Sequence, residues 1–213
     1  MLKRRMILPA MLCVIILCAA GPADELAEKV MKANGAQNWP KISRIKFSWC
    51  VDRGEAKKIV RAHDWDIRKM TDTVTVDGKT MTCKVTGPND TQEAKDAFAA
   101  WTNDSYWLMA PMKIMDAGVN RTVKPDEQID GRNYHVLHLS FGTVGLTPGD
   151  QYNQYIDPET NLLAAWDYIP AGAEPKRFTW EDYKDFNGVK IATMHKMNGK
   201  PTVTISDISV MTD

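Results

Sequence analysis

Ile45-Lys46-Phe47-Ser48-Trp49-Cys50-Val51 alternates strictly: Ile45, Phe47, Trp49 and Val51 fall on one side of an extended chain, and Lys46, Ser48 and Cys50 on the other. Side chains in a strand alternate with period two, so this stretch predicts one wet face and one broad apolar face. The idea recurs at Ile59, His63, Trp65 and Ile67. Sheet repeated in this way must curl over an apolar interior, filled by its own side chains or by a bound hydrophobic ligand. The residues leave that choice open.

Working outward, strands are expected over residues 42–51 and 57–68, joined by Asp52-Arg53-Gly54-Glu55. Residues 73–76 should pair with 80–85 across Asp77-Gly78, a dipeptide that readily takes the positive φ angles of a tight hairpin. Further strands are expected at 133–141, 151–156, 162–169, 177–183, 189–196 and 202–210. Asp130-Gly131, Asp157-Pro158-Glu159-Thr160, Asn187-Gly188 and Asn198-Gly199 punctuate them. A helix is expected over residues 24–34, acidic at its start and basic at its end, stopping at Asn34-Gly35. A second is expected over residues 91–102, with Ala94, Ala97, Phe98 and Trp101 on one face, followed by a short apolar stretch at 105–109. The reading is mainly β with two or three helices (α+β), about eleven strands, and no linker that would divide residues 24–213 into two domains.

Residues 1–23 read as a secretory signal peptide. Lys3, Arg4 and Arg5 precede an apolar run from Met6 to Ala20, and the small residues Ala19, Ala20, Gly21 and Ala23 follow. That run falls short of the roughly 20 residues a membrane span needs. Cleavage is expected after Ala23, with Ala20 the alternative, giving an exported, periplasmic protein with no transmembrane segment in the mature chain. Lipid anchoring at Cys18 is the other option, although Leu17 precedes it where a lipidation signal prefers a small residue. The formal net charge of the whole chain is zero, and losing three basic residues with the leader turns it mildly acidic. No basic tract longer than Lys57-Lys58 remains, which argues against nucleic-acid binding. Cys50 and Cys83 are the cysteines outside the leader; export permits a disulfide, a meander would hold them two or three strands apart, and the pairing stays open.

Tests for catalytic or metal chemistry give little. His135 and His138 are three apart on a strand and face opposite sides, and His63 is likewise separated from Asp64 and Asp66 by the strand period. There is no Gly-x-Ser-x-Gly elbow and no cysteine at a helix start, and no helix is expected after the glycines at 142–149. No catalytic residue, metal or cofactor is expected. What stands out is the apolar inventory: seven tryptophans spread over many elements, and twelve methionines, three of them in the first 23 residues. Broad aromatic faces and adaptable methionines suit variable apolar chains, although a packed β core uses the same residues.

Tyr155-Ile156-Asp157-Pro158-Glu159-Thr160-Asn161-Leu162 ends one strand in an Asp-Pro turn and begins the next, and Trp180-Glu181-Asp182-Tyr183-Lys184-Asp185-Phe186-Asn187-Gly188-Val189-Lys190-Ile191 runs strand, turn, strand. With Asn103-Asp104-Ser105-Tyr106-Trp107-Leu108-Met109-Ala110-Pro111, Asp116-Ala117-Gly118-Val119 and the leading helix, their order resembles the bacterial outer-membrane lipoprotein-sorting and carrier superfamily (LolA/LolB-like), in an uncharacterised exported branch. The resemblance covers most of residues 24–213. It implies an incomplete, strongly curved antiparallel β-barrel of about eleven strands with helices across its opening and an apolar concave interior that holds acyl chains. The expected function is then a non-enzymatic carrier or chaperone of lipid or acylated lipoprotein, working with envelope transport machinery. The alternative is a structural or interaction module of the envelope whose barrel is self-filled. The expected cavity wall is Phe47, Trp49, Trp65, Trp107, Tyr155 and Trp166, with Arg61 as a polar contact inside it.

Overall fold

The computed structural model describes residues 21–52, 54, 58–142 and 145–213. The first 20 residues of the expected leader, including Cys18, lie outside these, as do Arg53 and Glu55 of the first turn, residue 57 at the start of the second expected strand, and Thr143 and Val144.

Among the described residues, two helices and twelve strands follow in order: α1 (Pro22–Ala33), β1 (Ile42–Val51), β2 (Ile59–Asp66), β3 (Thr71–Val76), β4 (Lys79–Lys84), α2 (Gln92–Met109), β5 (Val119–Ile129), β6 (Arg132–Phe141), β7 (Gln151–Ile156), β8 (Leu163–Ile169), β9 (Lys176–Thr179), β10 (Glu181–Phe186), β11 (Val189–Met197) and β12 (Lys200–Thr212). Short 3-10 turns cover Ala36–Lys41 and Ala110–Met112. The strands form two antiparallel sheets, one in the order β10-β11-β12-β1-β2-β3-β4 and the other β5-β6-β7-β8-β9. Neither sheet closes, so the architecture is an incomplete curved barrel. Four hairpins turn on the dipeptides that the sequence singles out: Asp77-Gly78, Asp130-Gly131, Asn187-Gly188 and Asn198-Gly199 all have positive φ at both residues.

β1 is the central strand of the larger sheet. Its register sets Ile45 opposite Trp65, Phe47 opposite His63 and Trp49 opposite Arg61, and all six face the hollow. The apolar face of β1 is as expected. Its other face is less wet, since Ser48 and Cys50 are buried and only Lys46 is exposed. Cys50 and Cys83 are free and buried. β2 and β3 separate their strands, and the register puts them on opposite faces of the sheet.

Three elements differ from the sequence reading. α2 does not end at Thr102 but runs to Met109, absorbing the stretch at 105–109. Asn, Asp and Ser at 103–105 resemble a stop because such side chains compete locally for backbone groups. Here Asp104 is instead engaged by side chains from the sheet, so the helix continues to the turn containing Pro111. β5 was not anticipated at all: Pro125 and several exposed charges disguise it. It is an edge strand, and its bulge between Lys124 and Glu127 accommodates the proline. Finally, residues 177–183 are not one strand. The chain turns at buried Trp180, leaving β9 in the small sheet and β10 in the large one. His195 Nδ1 bonding Thr179 O (3.2 Å) and Lys196 N donating to Thr179 Oγ1 (3.1 Å) tie that corner to β11.

Gly35 ends α1 at φ +88°, where a Cβ would lie 1.9 Å from the carbonyl oxygen of Gly188. Both the dihedral and the rigid backbone neighbour oppose a side chain. Gly35→Ala is therefore expected to destabilise by more than about 1 kcal/mol, read as a lower urea midpoint with an unchanged slope; an unaltered midpoint would refute the close approach.

Candidate functional site

α2 enters the hollow between the sheets. Thr91 caps its start, the hydroxyl accepting from Ala94 N at 3.2 Å. Ala97, Phe98 and Trp101 pack on Val74, Met81 and Cys83 of the large sheet, while Trp107 reaches across to both sheets' apolar clusters. The helix leaves a cleft on each side. The first, about 470 Å³, is walled by Trp101, Tyr106, Phe141, Tyr152, Trp166 and Tyr168, with Leu146 at its lip and Lys113, Asp116 and Asp150 among its polar residues. The second, about 530 Å³, lies against the large sheet and is lined by Trp49, Val51, Ile59, Arg61, Phe178 and Val203. Asn103 and Trp107 line both.

The charged residues of the first cleft, Lys113, Asp116 and Asp150, are already occupied. Lys113 pairs with Asp116 at 2.7 Å. Asp150 accepts from Tyr168 Oη (2.8 Å) and Ala171 N (3.0 Å); burial would raise its pKa, but those bonds win and hold it below the usual value. The cleft therefore presents mostly aromatic surface. Trp166 is central to it, with Tyr106 stacked at 5.6 Å, Tyr152 at 4.8 Å and Trp107 edge-on at 4.7 Å.

A charged cluster pins α2 to the sheet. Arg61 forks onto Asp104, Nε donating to Oδ2 at 2.6 Å and Nη2 to Oδ1 at 2.5 Å. His63 lies between two carboxylates, Nε2 2.9 Å from Asp104 and Nδ1 2.8 Å from Asp72, and the side chains of His63, Asp72 and Asp104 have no solvent exposure. Burial alone would lower the pKa of His63, but the hydrogen bonds to Asp104 and Asp72 outweigh it, and the pKa is raised. An imidazolium donating from both nitrogens fits this setting. With two cations and two anions the cluster is neutral, as buried charges require. Phe47 stacks on the imidazole at 4.6 Å, and the Arg61 guanidinium sits 4.2 Å over Trp49. The thiol of neighbouring Cys83 is pushed up to about 11 by burial, which keeps it protonated and unreactive. Among the described residues, no group of three or more His, Cys, Asp or Glu is arranged to hold a metal ion.

Of the residues expected in the wall, Trp166 lines the first cleft, Trp49 and Arg61 the second, and Trp107 both. Phe47 and Trp65 face the hollow but are covered by α2 and packed in the core. Tyr155 is a correction: Tyr152, Gln154 and Ile156 point inward, so the two-residue period turns Tyr155 to the outer face. There it donates to Asp167 (2.7 Å) and accepts from Arg177 (2.7 Å). Tyr106, Phe141, Tyr152 and Tyr168 were missed. The alternation of Tyr152 with Gln154 and Ile156 is the signal that would have marked it as inward-facing.

No protein-family model matches the chain, and no curated protein sequence matches it. Solved structures do. A LolA superfamily protein from Nitrosomonas europaea superposes with a TM-score of 0.57 at 12% identity, over 90% of this chain and 94% of that one. A DUF1329 family protein from Desulfovibrio piger gives 0.51 at 10% identity, over 90% and 94%. A Vibrio parahaemolyticus domain described as outer membrane lipoprotein-sorting gives 0.50 at 11% identity, over 87% and 93%. The chain has a LolA-like fold.

Proposed function

We propose that this protein is an exported, non-enzymatic carrier or chaperone that binds lipid or acylated lipoprotein, with the first cleft as the seat of an acyl chain. The observation that carries this is a cleft of about 470 Å³ with an aromatic wall, charged residues already paired, and Leu146, 51% exposed, at its lip. That volume is in the range of small-molecule sites. An alkyl chain gains about 0.8 kcal/mol for each CH₂ removed from water, so even a partly filled cleft holds it appreciably. α2, held by the Arg61-Asp104-His63-Asp72 cluster, forms the wall between the two clefts. An acylated cargo would be received from and delivered to partners in the cell envelope.

Purified protein should carry lipid into native mass spectrometry, and a brominated fatty acid should quench tryptophan fluorescence through Trp101, Trp107 and Trp166. Leu146→Asp places a charge at the lip without touching the core and is expected to weaken that binding about tenfold. No lipid and no quenching at saturating ligand would sink the proposal. The depth to which Phe98, Trp101 and Trp107 enter the hollow favours a second reading, a self-filled envelope module with no ligand. The same titration decides between them.

A further inference from the structure

Beneath Trp107, four buried side chains, two on the small sheet, one at its corner and one on β11 of the large sheet, carry polar atoms with no partner. These are both amide atoms of Gln154, the indole Nε1 of Trp166 and of Trp180, and Nε2 of His195. Their residues are 0%, 1%, 3% and 0% exposed. They lie together. Gln154 is the cross-strand neighbour of Trp166, the Trp166 and Trp180 rings are 4.9 Å apart, and Trp180 meets His195 edge-on at 4.5 Å. Trp107 covers them, 4.7 Å from Trp166 and 5.2 Å from His195.

Orphaned buried polar groups are few in folded proteins, because each forfeits its bonds to water and recovers none. Several in one place, next to a cleft wall that one of them forms, call for a tenant. We propose that this floor is a hydrogen-bonding subsite for the neutral amide head of an acyl chain seated in the first cleft. This deepens the acyl-binding reading and rests on it.

The donor and acceptor inventory selects the chemistry. Two indole N–H groups and the Gln154 NH₂ donate, while Gln154 Oε1 accepts. His195 Nδ1–H donates to Thr179 O, leaving Nε2 as a second acceptor. Burial lowers the pKa of His195 to about 3, so Nε2 stays an acceptor at neutral pH. A matching ligand group must both accept and donate. An amide does; an ester only accepts, and a carboxylate would bring an unpaired charge to a floor whose named side chains include no cation. Of the four, only Trp166 lines the cleft, so the ligand head must displace the Trp107 ring to reach the others.

The test compares decanamide, decanoate and decane by tryptophan fluorescence titration at neutral pH. Decanamide should bind at least about tenfold more tightly than either of the others, as two net hydrogen bonds imply. In Gln154→Leu, and separately in Trp180→Phe, that preference should shrink to about twofold. The readout is a ratio within one variant, so a general loss of binding does not imitate it, and the second variant serves if the first fails to fold. Equal affinity for decanamide and decane, or a preference that survives both substitutions, would overturn the subsite and leave these atoms to internal water only. Binding of none of the three probes would overturn the acyl-binding reading and this one with it.

Discussion

Asp104→Ala is expected to cost about 3–5 kcal/mol of folding stability, the range for removing one partner from a buried ion pair. Asp104 has no solvent exposure and is the one group on α2 that both Arg61 and His63 grip. Without it, the guanidinium and the imidazolium remain buried with Asp72 as the single anion. Asp104→Asn should cost less, because an amide still accepts from Arg61 while losing the charge. Urea denaturation measures both. Because the pair anchors α2, Asp104→Ala should also raise amide exchange along that helix beyond the change in global stability. A loss below about 1 kcal/mol would mean that the cluster contributes little and that α2 is held by its apolar face alone.

Stability should also fall on both sides of neutrality, through two histidines with opposite signs. His195 has a pKa lowered to about 3 by burial, against 6.5 for the free side chain. Its neutral form is favoured in the fold, so its contribution is complete above pH 6.5 and disappears as pH falls from 6.5 towards 3. At ~1.4 kcal/mol per unit the full window amounts to several kcal/mol. Lowered carboxylates such as Asp150, Asp167 and Glu181 act in the same direction, but only near and below their unfolded values of 3.8 and 4.5. The interval between pH 6.5 and 4.5 therefore reports His195, and His195→Gln should flatten it.

His63 works the other way. Its pKa is raised, so its stabilisation is complete below pH 6.5 and is lost as pH rises through the folded value. Above that point the cluster keeps two carboxylates against one guanidinium, a buried net negative charge facing α2. His63→Gln should remove this alkaline decline while leaving the acid one. Urea midpoints measured across the range test both limbs, and a flat profile between pH 6.5 and 4.5 would contradict the account of His195.

The strand pattern, the four two-residue turns and the greasy face of β1 were legible because each is written in residues within a few positions of one another. β5 was not, since an edge strand at the sheet margin needs no alternating apolar face and tolerates Pro125 at a bulge. The corner at Trp180 was also hidden: the residues on either side favour extended chain, and only the packing of the indole shows where one sheet yields to the other. The site was read in part. Trp49, Trp107, Trp166 and Arg61 line the clefts, whereas Tyr155 turns to the outer face because the two-residue period of β7 sets it opposite to Tyr152 and Gln154.

By itself, the sequence determined that this chain makes a curved antiparallel sheet with an oily concave side, because periodicity and turn chemistry act between near neighbours. Only the tertiary structure decided what occupies that side. Asp104 meets Arg61 and His63 from 43 and 41 residues away, and His63 meets Asp72 across the neighbouring strand. Those charges are tolerable in the interior only as a set, and the set exists only once the helix lies in the hollow. The same insertion divides one trough into two clefts and buries the unpaired floor beneath Trp107, an outcome of long-range packing that no local pattern encodes.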